Sequence, residues 1–155
     1  MRSILIAIAL LVSGLAYGQT AMEFVARAID KVDLGDYRGA IADYNKAIEL
    51  NPNDAVAYYN RGVTKHHLED YRGAIADYSK AIELNPNNGD YYSARGVAKY
   101  DLVNYRGAID DYSKAIELNP NDDTTYFNRG IDKANLEDHR GAIADFTKAI
   151  ELNPN

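Results

Sequence analysis

The chain has 155 residues, 46% of them hydrophobic, with 17 Lys and Arg against 23 Asp and Glu and a formal net charge of -6. Its cations are interleaved with acids and form no basic tract, which argues against nucleic acid and anionic membranes as partners. It has no cysteine, so disulfides are excluded and stability must come from packing.

Residues 1–18 stand apart from the rest of the chain. Arg2 is the only charge before Glu23, an apolar run covers Ile4 to Val12, and Ala16-Tyr17-Gly18 is a small-x-small triplet. This is the layout of a secretory signal peptide, with cleavage expected after Gly18. The apolar run is far short of the roughly 20 residues that span a bilayer. The expectation is an exported protein, periplasmic or extracellular, with no membrane span once the signal is cleaved. No Asn-x-Ser/Thr acceptor occurs, which points to a bacterial rather than a eukaryotic source.

From residue 20 onward the chain repeats. The segment YRGAIADYNKAIELNPN at Tyr37 returns at Tyr71, Tyr105 and His139, each 34 residues after the last, and 13 of its 17 columns are identical in all four copies. A fixed period of this size marks a stack of one supersecondary unit rather than a single core. The units fall at 21–54, 55–88, 89–122 and 123–155.

Within each unit two helices are predicted. Thr20, Asp54, Asn88 and Asp122 are placed to cap the first, and Asp36, Asp70, Asn104 and Asp138 the second. Thr20 with Glu23 also forms a capping box, so the first helix is expected to start just after the cleavage site. In the second unit the first helix should reach about Leu68. Its second helix carries apolar residues at Ala74, Ile75, Tyr78, Ala81, Ile82 and Leu84, one stripe at helical period. Asn85-Pro86-Asn87 ends it, because proline disfavours helix in the residue before it. Gly39, Gly73, Gly107 and Gly141 recur early in the second helices, and the sequence offers no reason for them.

The unit resembles the tetratricopeptide repeat. The family's pattern of aromatic, Gly, aromatic, Ala, aromatic, Ala and Pro falls on Tyr58, Gly62, Tyr71, Ala74, Tyr78, Ala81 and Pro86. The other units share it, with Ala28 for the glycine in the first and His139 for a tyrosine in the fourth. The resemblance implies an all-α fold, a right-handed α-solenoid of antiparallel helix pairs, four repeats behind a signal peptide. Arg27, Arg61, Arg95 and Arg129 depart from the family's usual leucine, with Lys31, Lys65, Lys99 and Lys133 four residues on. They form either a basic ladder for an acidic ligand or pairs with Asp43, Asp77, Asp111 and Asp145. Their strict repetition together with the aspartates favours pairing.

The resemblance further implies that the first helices line a concave groove. Its expected residues are Val25, Ile29 and Val32, then Tyr59, Asn60, Val63 and His66, then Ser93, Val97 and Tyr100, then Phe127, Asn128, Ile131 and Ala134. Asp33, His67 and Asp101 stand at the rim. Such a surface suits a protein or peptide segment with apolar anchors, and alanine at Tyr59 and Phe127 is expected to abolish binding without unfolding the chain. One subgroup of the family grips a C-terminal carboxylate with lysine and asparagine, but Val25, Ile29, Tyr59 and Val63 hold those positions here.

No nucleophile, base and orienting group fall into a catalytic arrangement, so no enzyme, cofactor or metal is expected. His66 and His67 are adjacent and diverge on a helix. The far end keeps the interior pattern at Ala142, Ile143, Phe146 and Ile150. That face should be open, and a homodimer joined there, a capping partner or a longer array would cover it. Two functions are compatible with these features: an exported scaffold or adaptor that binds a peptide in its groove, or a structural array with no dedicated ligand.

Overall fold

The computed structural model describes residues 20–154. Helix α1 covers 20–33, followed by α2 (Tyr37–Leu50), α3 (Ala55–His67), α4 (Tyr71–Leu84), α5 (Gly89–Asp101), α6 (Tyr105–Leu118), α7 (Asp123–Asn135) and α8 (His139–Leu152). The described residues contain no strand. Each helix packs on the next, and α3 also touches α5, and α5 touches α7, so the first helices line up side by side. The result is an all-α solenoid. The signal-peptide segment lies outside the described residues.

Short polar side chains start the helices. Asp54 accepts from the N–H groups of Val56 and Ala57 at 3.0 and 3.2 Å, and Asn88 from Asp90 at 2.9 Å. Asp36, Asp70 and Asp138 each accept at 3.0 Å from the glycine three residues on, and Asn104 does so at 3.2 Å. This explains the recurrent glycine. A Cβ at Gly39, Gly73, Gly107 or Gly141 would collide with the capping side chain folded over it. The first cap differs from expectation: Thr20 is itself helical, so it stands inside α1 rather than ahead of it.

The turns inside the units close in one way. After α3, the Glu69 N–H reaches the His66 carbonyl at 2.9 Å and the Asp70 N–H the Lys65 carbonyl at 3.0 Å, a Schellman arrangement. It needs a left-handed residue. Gly35 provides one at φ 76°, whereas Glu69, Val103 and Glu137 hold φ 60°, 61° and 64°. For the β-branched Val103 this conformation is strained.

Small residues let the helices close on large ones. Ala40, Ala74, Ala108 and Ala142 are buried, with Tyr44, Tyr78 and Tyr112 beside them. A Cβ at Gly62 or Gly96 would sit 2.7 Å from the ring of Tyr78 or Tyr112, and at Gly130 2.6 Å from Phe146. In the first unit Ala28 packs directly with Ala40 and Tyr44.

The Arg and Lys ladder is a set of staples. Arg27, Arg61, Arg95 and Arg129 reach Asp43, Asp77, Asp111 and Asp145 at 2.5, 2.6, 2.7 and 2.7 Å. Lys31, Lys65, Lys99 and Lys133 reach the same four carboxylates at 2.8, 2.7, 2.7 and 2.8 Å. Each buried aspartate thereby ties α2, α4, α6 or α8 to the first helix of its own unit. Three of the arginines also cross to the unit before, Arg61 to Asn45 at 2.6 Å, Arg95 to Ser79 at 3.0 Å and Arg129 to Ser113 at 3.1 Å. The Arg27 hydrogen bond holds the Asp43 carboxyl down to about 2. For Asp145, burial pushes the other way, and the bonds from Arg129 and Lys133 together still leave it below the ordinary value. These cations are committed to the fold.

Candidate functional site

On the side lined by the first helices, α3, α5, α6 and α7 enclose a cavity of about 300 Å³. Its walls are His66, Val97, Tyr100, Asp101, Tyr112, Asn128 and Ile131. His66, Val97, Tyr100, Asn128 and Ile131 are expected groove residues, and the structure brings them together. Asp101, expected only at the rim, is part of the wall. Tyr112 escapes the sequence reading, because its repeat position reads as core. It is nearly buried, yet part of it reaches the cavity.

His66 and Asp101 meet across two units, Nε2 to Oδ2 at 2.7 Å. The His66 ring lies edge-on to Tyr71 at 5.1 Å between centroids, and Tyr100 sits 5.7 Å from Tyr105. His67 turns away and stacks on Tyr37 at 5.2 Å. Tyr100 is 39% exposed, so the cavity opens to solvent past its ring.

The other expected groove residues lie elsewhere. Val25 and Val32 pack against the core of the first unit, while Ile29 is exposed. Asn60 is half-buried. Val63 packs with Tyr59 against Ala74, Tyr78 and Ala98. The Tyr59 ring is 5.8 Å from Tyr78 and 5.0 Å from Tyr91 of the next unit. Its counterpart Ser93 contacts Thr125 of the next unit, Oγ to Oγ1 at 3.0 Å. Phe127 holds the same place in the fourth unit and has no following unit among the described residues. It is 51% exposed and lines a second cleft, of about 480 Å³, with Asp123, Thr124, Phe146, Ala149, Ile150 and Asn153. At Tyr59 and Ser93 this repeat position joins one unit to the next.

Phe146 and Ile150, two of the expected end-face residues, line this cleft. Ile143 and Ile150 are 65% and 64% exposed and Phe146 is half-buried. Ala142 is a correction: it is buried, as are Ala40, Ala74 and Ala108, because it packs inside its own helix pair.

One buried group stands out. Asp132 is 0% exposed, and neither carboxyl oxygen has a hydrogen-bond partner among the described residues. Burial pushes its carboxyl up to about 7. Thr64 and Ala98 hold the same place in earlier units, each beneath the tyrosine twenty residues before it. Burial raises the Tyr44 phenol and Thr64, whose hydroxyl donates to the Asn60 carbonyl at 2.8 Å, partly offsets this, while Ala98 packs in one cluster with Tyr78. Asp132 correspondingly acts on the Tyr112 phenol, whose pKa is raised first by burial and then by this carboxylate.

No helix among the described residues is long and apolar enough to cross a membrane. No curated protein matches the chain. Among solved structures, a crystal structure of MamA is 25% identical with a TM-score of 0.84, covering 86% of this chain and 78% of that one. MamA 41-end from Desulfovibrio magneticus RS-1 is 25% identical with a TM-score of 0.81, covering 86% and 76%. The first TPR of Spaghetti (RPAP3) bound to HSP90 peptide SRMEEVD is 27% identical with a TM-score of 0.76, covering 77% and 95%. Family models described as TPR repeat and tetratricopeptide repeat match residues 31–68, 55–88, 89–122 and 124–155. The chain belongs to the tetratricopeptide repeat family.

Proposed function

We propose that this protein is an exported interaction module that holds a peptide segment of a partner along its first helices, centred on the cavity between α3 and α7. The observation that carries this is the cavity itself: an open concavity with apolar walls and a few polar groups, the usual make-up of a recognition site. Its residues, Tyr112 excepted, belong to the variable half of the repeat. His66, Tyr100 and Ala134 share one position yet differ, while the second helices are nearly constant. The RPAP3 structure gives a neighbour of like fold with a peptide bound. Export rests on the signal-like layout of residues 1–18.

The test is capture of partners from a cell-envelope extract by the full chain and by a Tyr100→Ala, Ile131→Ala variant. Partners retained by the first and lost by the second, at equal helical circular dichroism, are expected. Equal capture by both would overturn the cavity as the site. A second reading, self-association, draws on the exposed Ile143 and Ile150 beside the terminal cleft. Light scattering that shows a dimer, dissociated by Ile150→Asp, would support it.

A further inference from the structure

We propose that the concave cavity selects a lysine or arginine side chain of the bound segment, placing its cationic head beside Asp101 between the rings of Tyr100 and Tyr112. This rests on the concave-groove reading above and adds the chemistry of the anchor.

Asp101 is the one acidic residue of the lining. Only its Oδ2 is engaged among the described residues, by His66. Around it stand three aromatic rings, His66, Tyr100 and Tyr112, and the amide of Asn128. Rings beside a carboxylate attract ammonium and guanidinium groups, through the ring quadrupole and a charge-assisted hydrogen bond.

No lysine or arginine lines the cavity. The first-helix cations Arg61, Lys65, Arg95, Lys99, Arg129 and Lys133 are all held by Asp77, Asp111 or Asp145 within 2.8 Å. A second carboxyl lies beneath the cavity: Asp132, fully buried and unpartnered among the described residues, acts on the Tyr112 phenol of the wall. The lining therefore holds acid with no lysine or arginine among its own residues to balance it. An acidic anchor would meet like charge here, and a purely apolar one would strip water from Asp101 and Asn128 without replacing it.

The direct test is two-dimensional NMR of the full chain titrated with four probes: N-acetyl-lysine amide, N-acetyl-arginine amide, N-acetyl-norleucine amide and N-acetyl-glutamate amide. The two cationic probes should give saturable shifts at the Asn128 side-chain amide and the Val97 and Ile131 methyls. Norleucine and glutamate should give none at the same concentrations. Asp101→Asn, which keeps the side-chain shape, and Tyr100→Leu, at an exposed ring, should each weaken the cationic probes by about fivefold or more. Norleucine matching lysine would overturn the charge selection and leave the concave-groove reading standing. Cationic probes that shift only residues outside the cavity, or bind Asp101→Asn unchanged, would overturn the proposal. The groove reading itself is decided separately, by the capture experiment.

Discussion

The seam between the second and third units and the seam between the third and fourth are built on nearly the same second helix. α4 and α6 differ only at Ala76 and Asp110. The contacts nevertheless differ. At the earlier seam the Tyr59 ring lies against Tyr91, and Ala98 packs in the cluster with Tyr78. At the later one Ser93 and Thr125 share a hydrogen bond, and Asp132 is buried near Tyr112 with no partner among the described residues. The second helix thus sets the fold, while the first sets how firmly one unit holds the next. The unpartnered Asp132 predicts that the fourth unit is the more weakly held.

Four substitutions probe the difference. The largest effect is expected from Tyr59→Ala, which empties the ring's place in the tight seam and should cost about 3 kcal/mol in urea unfolding followed by circular dichroism. A loss under about 1 kcal/mol would mean that the ring is not holding the units together. Next is Asp132→Ala, which gives the loose seam the residue of the tight one. The sign comes from the raised carboxyl. Its proton is held more tightly in the folded state, so the contribution is complete below the ordinary value near 3.8 and is lost as pH rises through about 7. The substitution should stabilise the fourth unit by roughly 2 kcal/mol at about pH 8 and by much less at about pH 4. Asp43 and Asp145 act in the opposite direction. Their lowered values make the staples a contribution that is present above about pH 4 and lost as pH falls, towards about 2 for Asp43.

The other two effects are smaller. Val103→Gly relieves a β-branched residue at φ 61° and should raise stability by about 1 kcal/mol, a few degrees in melting temperature. An unchanged or lower melting temperature would show that the turn carries no strain. Ser93→Ala removes the side chain's hydrogen bond to Thr125 and should cost about 0.5–1 kcal/mol. A loss equal to that of Tyr59→Ala would erase the distinction between the seams.

The fold was legible because its signals are local and repeated. The period, the aspartate and asparagine caps, the Asn-Pro-Asn stops and the Arg, Lys and Asp spacing each act within one unit. The site was legible only in part. A first helix has one side on its own partner helix, another on the next unit and a third on the groove. Sequence position alone did not separate the last two, so Tyr59 and Phe127 read as groove residues when they stand at the seam and at the open end. Ala142 read as end face because the stripe of α8 has two sides, one turned into its own pair. Asp30 and Asp132 show the limit most clearly. They share a repeat position, yet Asp30 is exposed and Asp132 is buried, because only the latter has an earlier unit packed over it among the described residues. Burial of that kind depends on what lies next in the stack. The glycines at the caps needed the cap geometry before they made sense.

The central claim is that the first-helix residues, and Asp132 above all, make the third–fourth seam the labile one. Amide hydrogen exchange of the full chain at about pH 5 and about pH 8, corrected for intrinsic rates, tests it directly. Protection in α7 and α8 should fall between the two pH values while α3 and α4 hold, and Asp132→Ala should abolish the fall. Equal protection of all four helices at both pH values, or a fall that survives Asp132→Ala, would contradict it.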